Sequence, residues 1–233
     1  MFGFRLDQML GRDPVFADVP PPLHTRPVVL VPGFRDNSTV FRRLTHYLQK
    51  ERFDVHALTL RPSDGRMPLD HLAHQVAAYV DRTFAADTVL DFVGFSMGGI
   101  VLRYYLQRLG GLAKAEHFVT LGSPHRGTWM AYYSGRPGVR QMRPGSPFLA
   151  DLAEDEERLN EIKFTSIWTP LDLTIVPSSS SVLTAGTHHP LLLPYHRALV
   201  TNGRALQTVA QVLRDREPNT NGAGAAYETL LRQ

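Results

Sequence analysis

An α/β fold with a mostly parallel central sheet and helices on both faces is the class that this sequence predicts, on three observations. Short apolar runs such as VVLV (28–31) and FVTL (118–121) recur along the chain. Segments with apolar residues at helical spacing separate them. The runs are apolar throughout instead of alternating, which marks strands covered on both faces, and joining such strands in parallel requires helical crossovers.

Taken in order, residues 1–26 read as a lead-in closed by Pro20-Pro21-Pro22, which excludes regular helix and a central strand. The first strand lies in PVVLVPGF (27–34), and Val40, Phe41, Leu44, Tyr47 and Leu48 then recur as one face of a helix. FDVHALTL (53–60) predicts the next strand. Leu69, Leu72, Val76, Ala77 and Val80 mark a second amphipathic helix, and TVLDFVGF (88–95) the strand after it. Ile100, Leu102, Tyr105, Leu106 and Leu109 place a third helix, stopped by Gly110-Gly111. HFVTLGSP (117–124) and FTSIW (164–168) supply two more strands, and FLADLAEDEERL (148–159) reads as an exposed acidic helix. A last helix carries Leu206, Val209, Ala210 and Leu213. The expected organisation is a lead-in (1–26), one catalytic domain (27–214) and a polar, glycine-rich tail (215–233).

A chain of 233 residues suits one domain with a single core. Its formal charge of +3 comes without a run of Lys or Arg, which argues against a nucleic-acid partner. The absence of cysteine excludes disulfides, thiolate zinc sites and a cysteine nucleophile. Met1-Phe2-Gly3-Phe4-Arg5 lacks the basic head and apolar core of a secretory signal, and no apolar run nears the ~20 residues of a membrane helix. The expectation is a soluble, cytoplasmic protein.

One stretch carries chemistry. Gly94-Phe95-Ser96-Met97-Gly98 places a serine between glycines where a predicted strand turns into a predicted helix. A tight strand-to-helix turn needs glycines where a Cβ would clash, and it lifts the serine hydroxyl above the carboxyl end of the sheet. A serine hydroxyl is a poor nucleophile alone, so a base and an orienting acid are needed, and after a strand–serine–helix turn of this kind they are sought later in the chain. Asp172, in TPLDLTIVP, falls on the loop after the FTSIW strand. Asp151 and Asp155 belong to the acidic segment, and Asp215 to the end of the last helix. Among the later histidines, His196 lies between an apolar run and the last helix. His125 follows Gly122-Ser123-Pro124 and reads as a turn former, and His188-His189 as a surface loop pair or a partial metal site without acidic ligands. The expected site is therefore Ser96, Asp172 and His196, with the backbone N–H groups of Met97 and Phe34 as oxyanion donors.

These residues together resemble the α/β-hydrolase superfamily, and within it the small bacterial lipases and lipase-like esterases. The likeness spans roughly residues 27–214. It rests on LVPGF, GFSMGGIVLRYYL, LGSPHRGTWMA, PLDLTIVP and PYHRAL, with proline in place of the usual histidine before Gly33. The resemblance implies that Ser96 attacks an ester carbonyl, His196 takes and returns the proton, Asp172 holds the imidazole, and no metal or organic cofactor takes part. It implies an acyl ester or lipid substrate, and the reading leaves room for transient contact with a membrane surface. An acyltransferase using the same acyl-enzyme and a non-catalytic binding protein are the alternatives. Residues 128–152, dense in Trp129, Met130, Tyr132, Tyr133, Met142 and Phe148, either border the acyl site or pack as ordinary core.

Overall fold

Each of the five runs read above as strands contributes one to a single parallel sheet. The structure is a computed structural model that describes residues 22–215; most of the expected lead-in and nearly all of the tail lie outside the described residues. The strands are β1 (Val28–Val31), β2 (Val55–Ala57), β3 (Leu90–Phe95), β4 (Ala115–Leu121), β5 (Lys163–Trp168) and β6 (Thr187–Pro190), in spatial order β2-β1-β3-β4-β5-β6. All neighbouring pairs are parallel.

The helices are α1 (Arg42–Lys50), α2 (Leu69–Thr83), α3 (Met97–Arg108), α4 (Pro137–Arg140), α5 (Pro147–Ala153) and α6 (Gly203–Leu213). Because successive strand residues point to opposite faces, β1 feeds two cores at once. Val29 and Val31 join Leu72 and Val76 of α2 and Ile100 and Val101 of α3. Val28 and Leu30 join Leu44 and Leu48 of α1 and Leu206 and Val209 of α6. That double coverage explains why the strands read as unbroken apolar runs. From β1 the chain moves to β2 on one side, and from β3 onward it moves to the other. The loops after β1 and β3 therefore part, opening a crevice at their carboxyl ends where parallel α/β proteins hold their sites.

Three expectations are corrected. His188-His189 is not a surface loop: both residues lie in the edge strand β6, opposite Ser166 and Ile167 of β5, and among the described residues no three metal-ligating side chains cluster. An edge strand half open to water needs no apolar run, so its sequence carried no strand signal. The strand expected over 53–60 shrinks to β2, since Leu58 and Leu60 leave the sheet to pack beneath α2. The acidic segment 148–159 is not one exposed helix. It breaks at Asp155 into α5 and a 3₁₀ turn (Glu156–Glu161), because Arg108 draws in Asp151 and Asp155 while buried Glu156 accepts the Thr184 N–H and hydroxyl, each at 2.6 Å.

At the amino edge of the sheet, Arg26 binds buried Asp91 at 3.1 Å, and Asp215 binds His117 at 3.1 Å. These residues flank the expected domain limits and both bond into the base of the sheet.

Candidate active site

Ser96 occupies the single residue between β3 and α3. Its backbone holds φ 54° and ψ −125°, a region that L-residues avoid at a cost of about 1–3 kcal/mol. The Ser96 N–H donates to the Leu121 carbonyl at 2.9 Å, and its carbonyl accepts from the Gly99 N–H at 3.1 Å. The flanking glycines are a steric requirement. A Cβ on Gly98 would sit 2.1 Å from the Val31 carbonyl oxygen, and one on Gly94 would sit 2.5 Å from Gly99 Cα. Helix α3 can start this close to β1 and β3 only without those atoms.

Asp172 lies in the turn after β5 and is 5% exposed. Its Oδ1 accepts the Thr174 N–H at 2.8 Å and the Ile175 N–H at 3.0 Å; its Oδ2 meets His196 Nδ1 at 2.5 Å. Three donors thus converge on one buried carboxylate, which fixes its place.

His196 opens a 3₁₀ turn (His196–Val200) ahead of α6 and packs its ring 4.8 Å from that of Phe95, the residue before Ser96. A carboxylate only accepts, so in the neutral imidazole Nδ1 carries the proton and Nε2 presents a lone pair. Nε2 is buried and makes no hydrogen bond, so the contact between Ser96 Oγ and the imidazole is open in this structure. Such contacts often tighten only when substrate arrives. Gly122, at φ 58°, lets the ring approach, since a Cβ there would stand 3.0 Å from His196 Cε1.

Met97 is the first residue of α3, and its N–H is one of the amides that a helix N-terminus leaves without an intrahelical acceptor. Phe34 follows Gly33, where an added Cβ would stand 3.0 Å from Ser96 Cβ and 3.2 Å from the Phe95 carbonyl oxygen. The loop after β1 therefore lies against the serine. Of the candidates set aside, His125 is buried with Nε2 3.1 Å from Thr120 Oγ1, and burial followed by nearby Arg103 pushes its pKa well below the ordinary histidine value. It stays neutral inside the core. Asp151 and Asp155 are taken up by Arg108, and Asp215 lies at the opposite edge of the sheet.

Two residues that sequence reasoning missed hold the site together. Thr169 Oγ1 donates to the Leu193 carbonyl at 2.8 Å and receives the Leu193 N–H at 3.2 Å, joining the Asp172 loop to the His196 loop. Thr128 Oγ1 donates to the Thr174 carbonyl at 3.2 Å and receives the Val176 N–H at 3.0 Å. That ties the segment after β4 to the same acid loop. A threonine directly after a strand was the only hint of the first; the second had none.

The segment 128–152 divides in two. Met142 is buried and Phe148 stacks on Tyr104 at 5.4 Å, so this half is ordinary packing. The 3₁₀ turn Trp129–Tyr133 instead exposes Trp129 and Tyr133, and Leu171, Leu173, Leu192 and Tyr195 are exposed on the acid and histidine loops. All six belong to loops that follow the carboxyl ends of β4, β5 and β6. The walls of two larger hollows, a cavity of 560 Å³ by Tyr132 and Phe148 and a groove of 590 Å³ between α1 and α6, include none of Ser96, Asp172 and His196. Among the described residues no helix is long and apolar enough to cross a membrane.

A family model described as palmitoyl protein thioesterase matches residues 27–145. No curated protein matches the sequence. Among solved structures, Aspergillus fumigatus lipase B superposes with a TM-score of 0.71 at 17% identity, over 87% of this chain and 56% of that one. The chain thus spans little more than half the length of that lipase. The mature form of a Bacillus licheniformis lipase gives 0.68 at 17% identity, over 84% of this chain and 96% of that one. The enol-lactonase of Burkholderia xenovorans gives 0.60 at 15% identity, over 82% and 92%. At such identities the likeness is one of fold: a parallel-sheet α/β-hydrolase of the kind seen in lipases and esterases.

Proposed function

The chain belongs to the palmitoyl protein thioesterase family, and on that premise we propose that it is a serine hydrolase of carboxylic esters with apolar acyl chains. Ser96 is the nucleophile, His196 the base and then the acid, and Asp172 the residue that fixes the imidazole. The observation that supports this most is the 2.5 Å contact of His196 Nδ1 with Asp172, with the imidazole packed at a tilt on Phe95, the residue before the strained Ser96 turn.

In the proposed reaction Nε2 takes the Ser96 proton as Oγ attacks the acyl carbon. The Phe34 and Met97 N–H groups receive the charge that grows on the carbonyl oxygen. Collapse expels the alcohol, protonated by the imidazolium, and leaves an acyl-Ser96 ester. Water, deprotonated by Nε2, attacks that ester and frees the acid and the serine. The residues of this scheme call for no metal or organic cofactor. The exposed aromatic and leucine side chains around these loops favour an apolar acyl group or a lipid surface over a charged partner.

The matching family description favours a second reading on the same machinery, in which the leaving group is a thiol. A thiolate leaves without a proton, so thioester cleavage depends less on His196 as acid. One comparison separates the two readings: kcat/KM for an oxygen ester and a thioester of the same acyl chain. The mechanism is tested by a fluorophosphonate probe, which should label Ser96 in the native enzyme, while Ser96→Ala should lose labelling and turnover together. Full turnover by that variant would discard the proposal, and turnover only in the presence of an acceptor alcohol would make the enzyme an acyltransferase.

A further inference from the structure

Asp36 follows the candidate oxyanion donor Phe34 by two residues, and its side chain turns back over the site instead of out to water, with 13% of its surface exposed. A Cβ on Gly33 would stand 3.0 Å from Ser96 Cβ and 3.4 Å from Asp36 Oδ2, so those two atoms are no farther apart than these distances laid end to end. A negative charge this near a forming oxyanion opposes it, because the transition state gathers negative charge on the same spot. The loop does not need that charge to keep its shape. The Asp36 N–H donates to the Gly33 carbonyl at 3.2 Å, the Asp36 carbonyl accepts from Ser63 Oγ at 3.0 Å, and the Arg35 N–H donates to the Ser63 carbonyl at 2.9 Å.

What meets the carboxylate is Arg197, whose guanidinium donates to Asp36 Oδ1 at 2.6 Å. Arg197 is the residue after His196. The ion pair therefore bridges the loop of the candidate oxyanion donor and the loop of the candidate base, two elements separated by almost the whole domain in sequence. We propose that Arg197 is a positioning residue that masks the Asp36 charge beside the oxyanion site while holding the two loops in register. The inference rests on the reading of Ser96 as nucleophile. It also separates two effects that a simple tether would merge. Losing Arg197 does harm chiefly because Asp36 is left bare, so removing the Asp36 charge as well should restore function.

The test measures kcat and KM for a p-nitrophenyl butyrate substrate and the rate of Ser96 labelling by a fluorophosphonate, which builds charge at the same place. Arg197→Ala should lower kcat and the labelling rate about tenfold to a hundredfold, from Coulomb repulsion at this range in a partly buried site. KM should stay within about twofold, since the ground-state ester carries no charge there. Arg197→Lys should keep most of the rate. The double variant Asp36→Asn with Arg197→Ala should run at least about five times faster than Arg197→Ala alone. Thermal midpoints should hardly move, because Arg197 is 58% exposed and such pairs contribute about 0–1 kcal/mol. Native rates in Arg197→Ala, or a double variant no faster than the single one, would overturn the masking role while leaving Ser96 labelled. An unlabelled Ser96 in the native enzyme would overturn the nucleophile assignment, and this inference with it.

Discussion

His196 Nδ1 stands 2.5 Å from Asp172 Oδ2, and the other oxygen of that carboxylate is held by the Thr174 and Ile175 N–H groups. The aspartate is thus anchored by its own turn before it touches the histidine. An anchored acceptor dictates which imidazole nitrogen carries the proton, and so leaves Nε2 free to accept one.

Asp172→Asn tests that arrangement. The amide can donate to Nδ1, which favours the wrong tautomer without removing volume. The expected loss in kcat is about 10³–10⁴-fold. The thermal midpoint should fall only slightly, as one amide oxygen still accepts the two backbone bonds. Steady-state kinetics with a calorimetric scan checks both, and a kcat within tenfold of native would remove Asp172 from the reaction.

Ser96→Gly should stabilise the protein while abolishing turnover. The φ of 54° and ψ of −125° strain a serine but not a glycine. Relief of about 1–3 kcal/mol outweighs the 0.4–1 kcal/mol that glycine's looser unfolded chain costs. A net gain of about 1 kcal/mol raises the midpoint of a domain this size by roughly 2–4 °C. A lower midpoint would mean that the turn is not strained.

Acid should weaken the fold well before the carboxylates titrate. Burial holds the pKa of His125 well below the ordinary 6.5, and burial lowers that of His188 in the same direction. Below pH 6.5 the unfolded chain takes up protons that the folded core refuses. Stability is therefore full above that pH and falls as pH drops, by up to about 1.4 kcal/mol per pH unit for His125, with half-buried His188 adding in the same direction. Urea midpoints measured from pH 7.5 to 5.5 should decline, and His125→Gln should flatten the decline. An unchanged slope in that variant would exclude His125 as a source.

The exposed apolar loops set an expected chain-length profile. Each acyl methylene that gains full burial contributes about 0.8 kcal/mol, near fourfold in kcat/KM, until contact surface runs out. The series of p-nitrophenyl esters should rise from acetyl toward medium chains and then level. Trp129→Ala, which removes an exposed ring stacked on Tyr132 at 5.5 Å, should cost the medium chains several-fold more than acetyl. A strict preference for acetyl would set aside the apolar acyl reading but not the nucleophile.

Much of this protein is written locally. VVLV, FVGF and FVTL read as strands because short runs rich in β-branched and aromatic residues, bounded by turn signals, suit a sheet covered on both sides, and each is a strand here. The glycines about Ser96 predict a tight turn because sterics between neighbouring residues demand it. Asp172 stands out on the loop after a strand and His196 between an apolar run and the last helix, and the fold brings their side chains to 2.5 Å. Tertiary structure alone decided what depends on residues far apart in the chain. His188 and His189 become a strand only because β5 offers a free edge, and Asp151 and Asp155 are paired only because Arg108 waits on α3. Likewise, nothing around Asp36 foretells Arg197, 161 residues away. Short-range sterics and apolar periodicity act between neighbours and so are legible in order. Ion pairs and edge pairing depend on where the finished sheet places distant loops, and no local pattern encodes that distance.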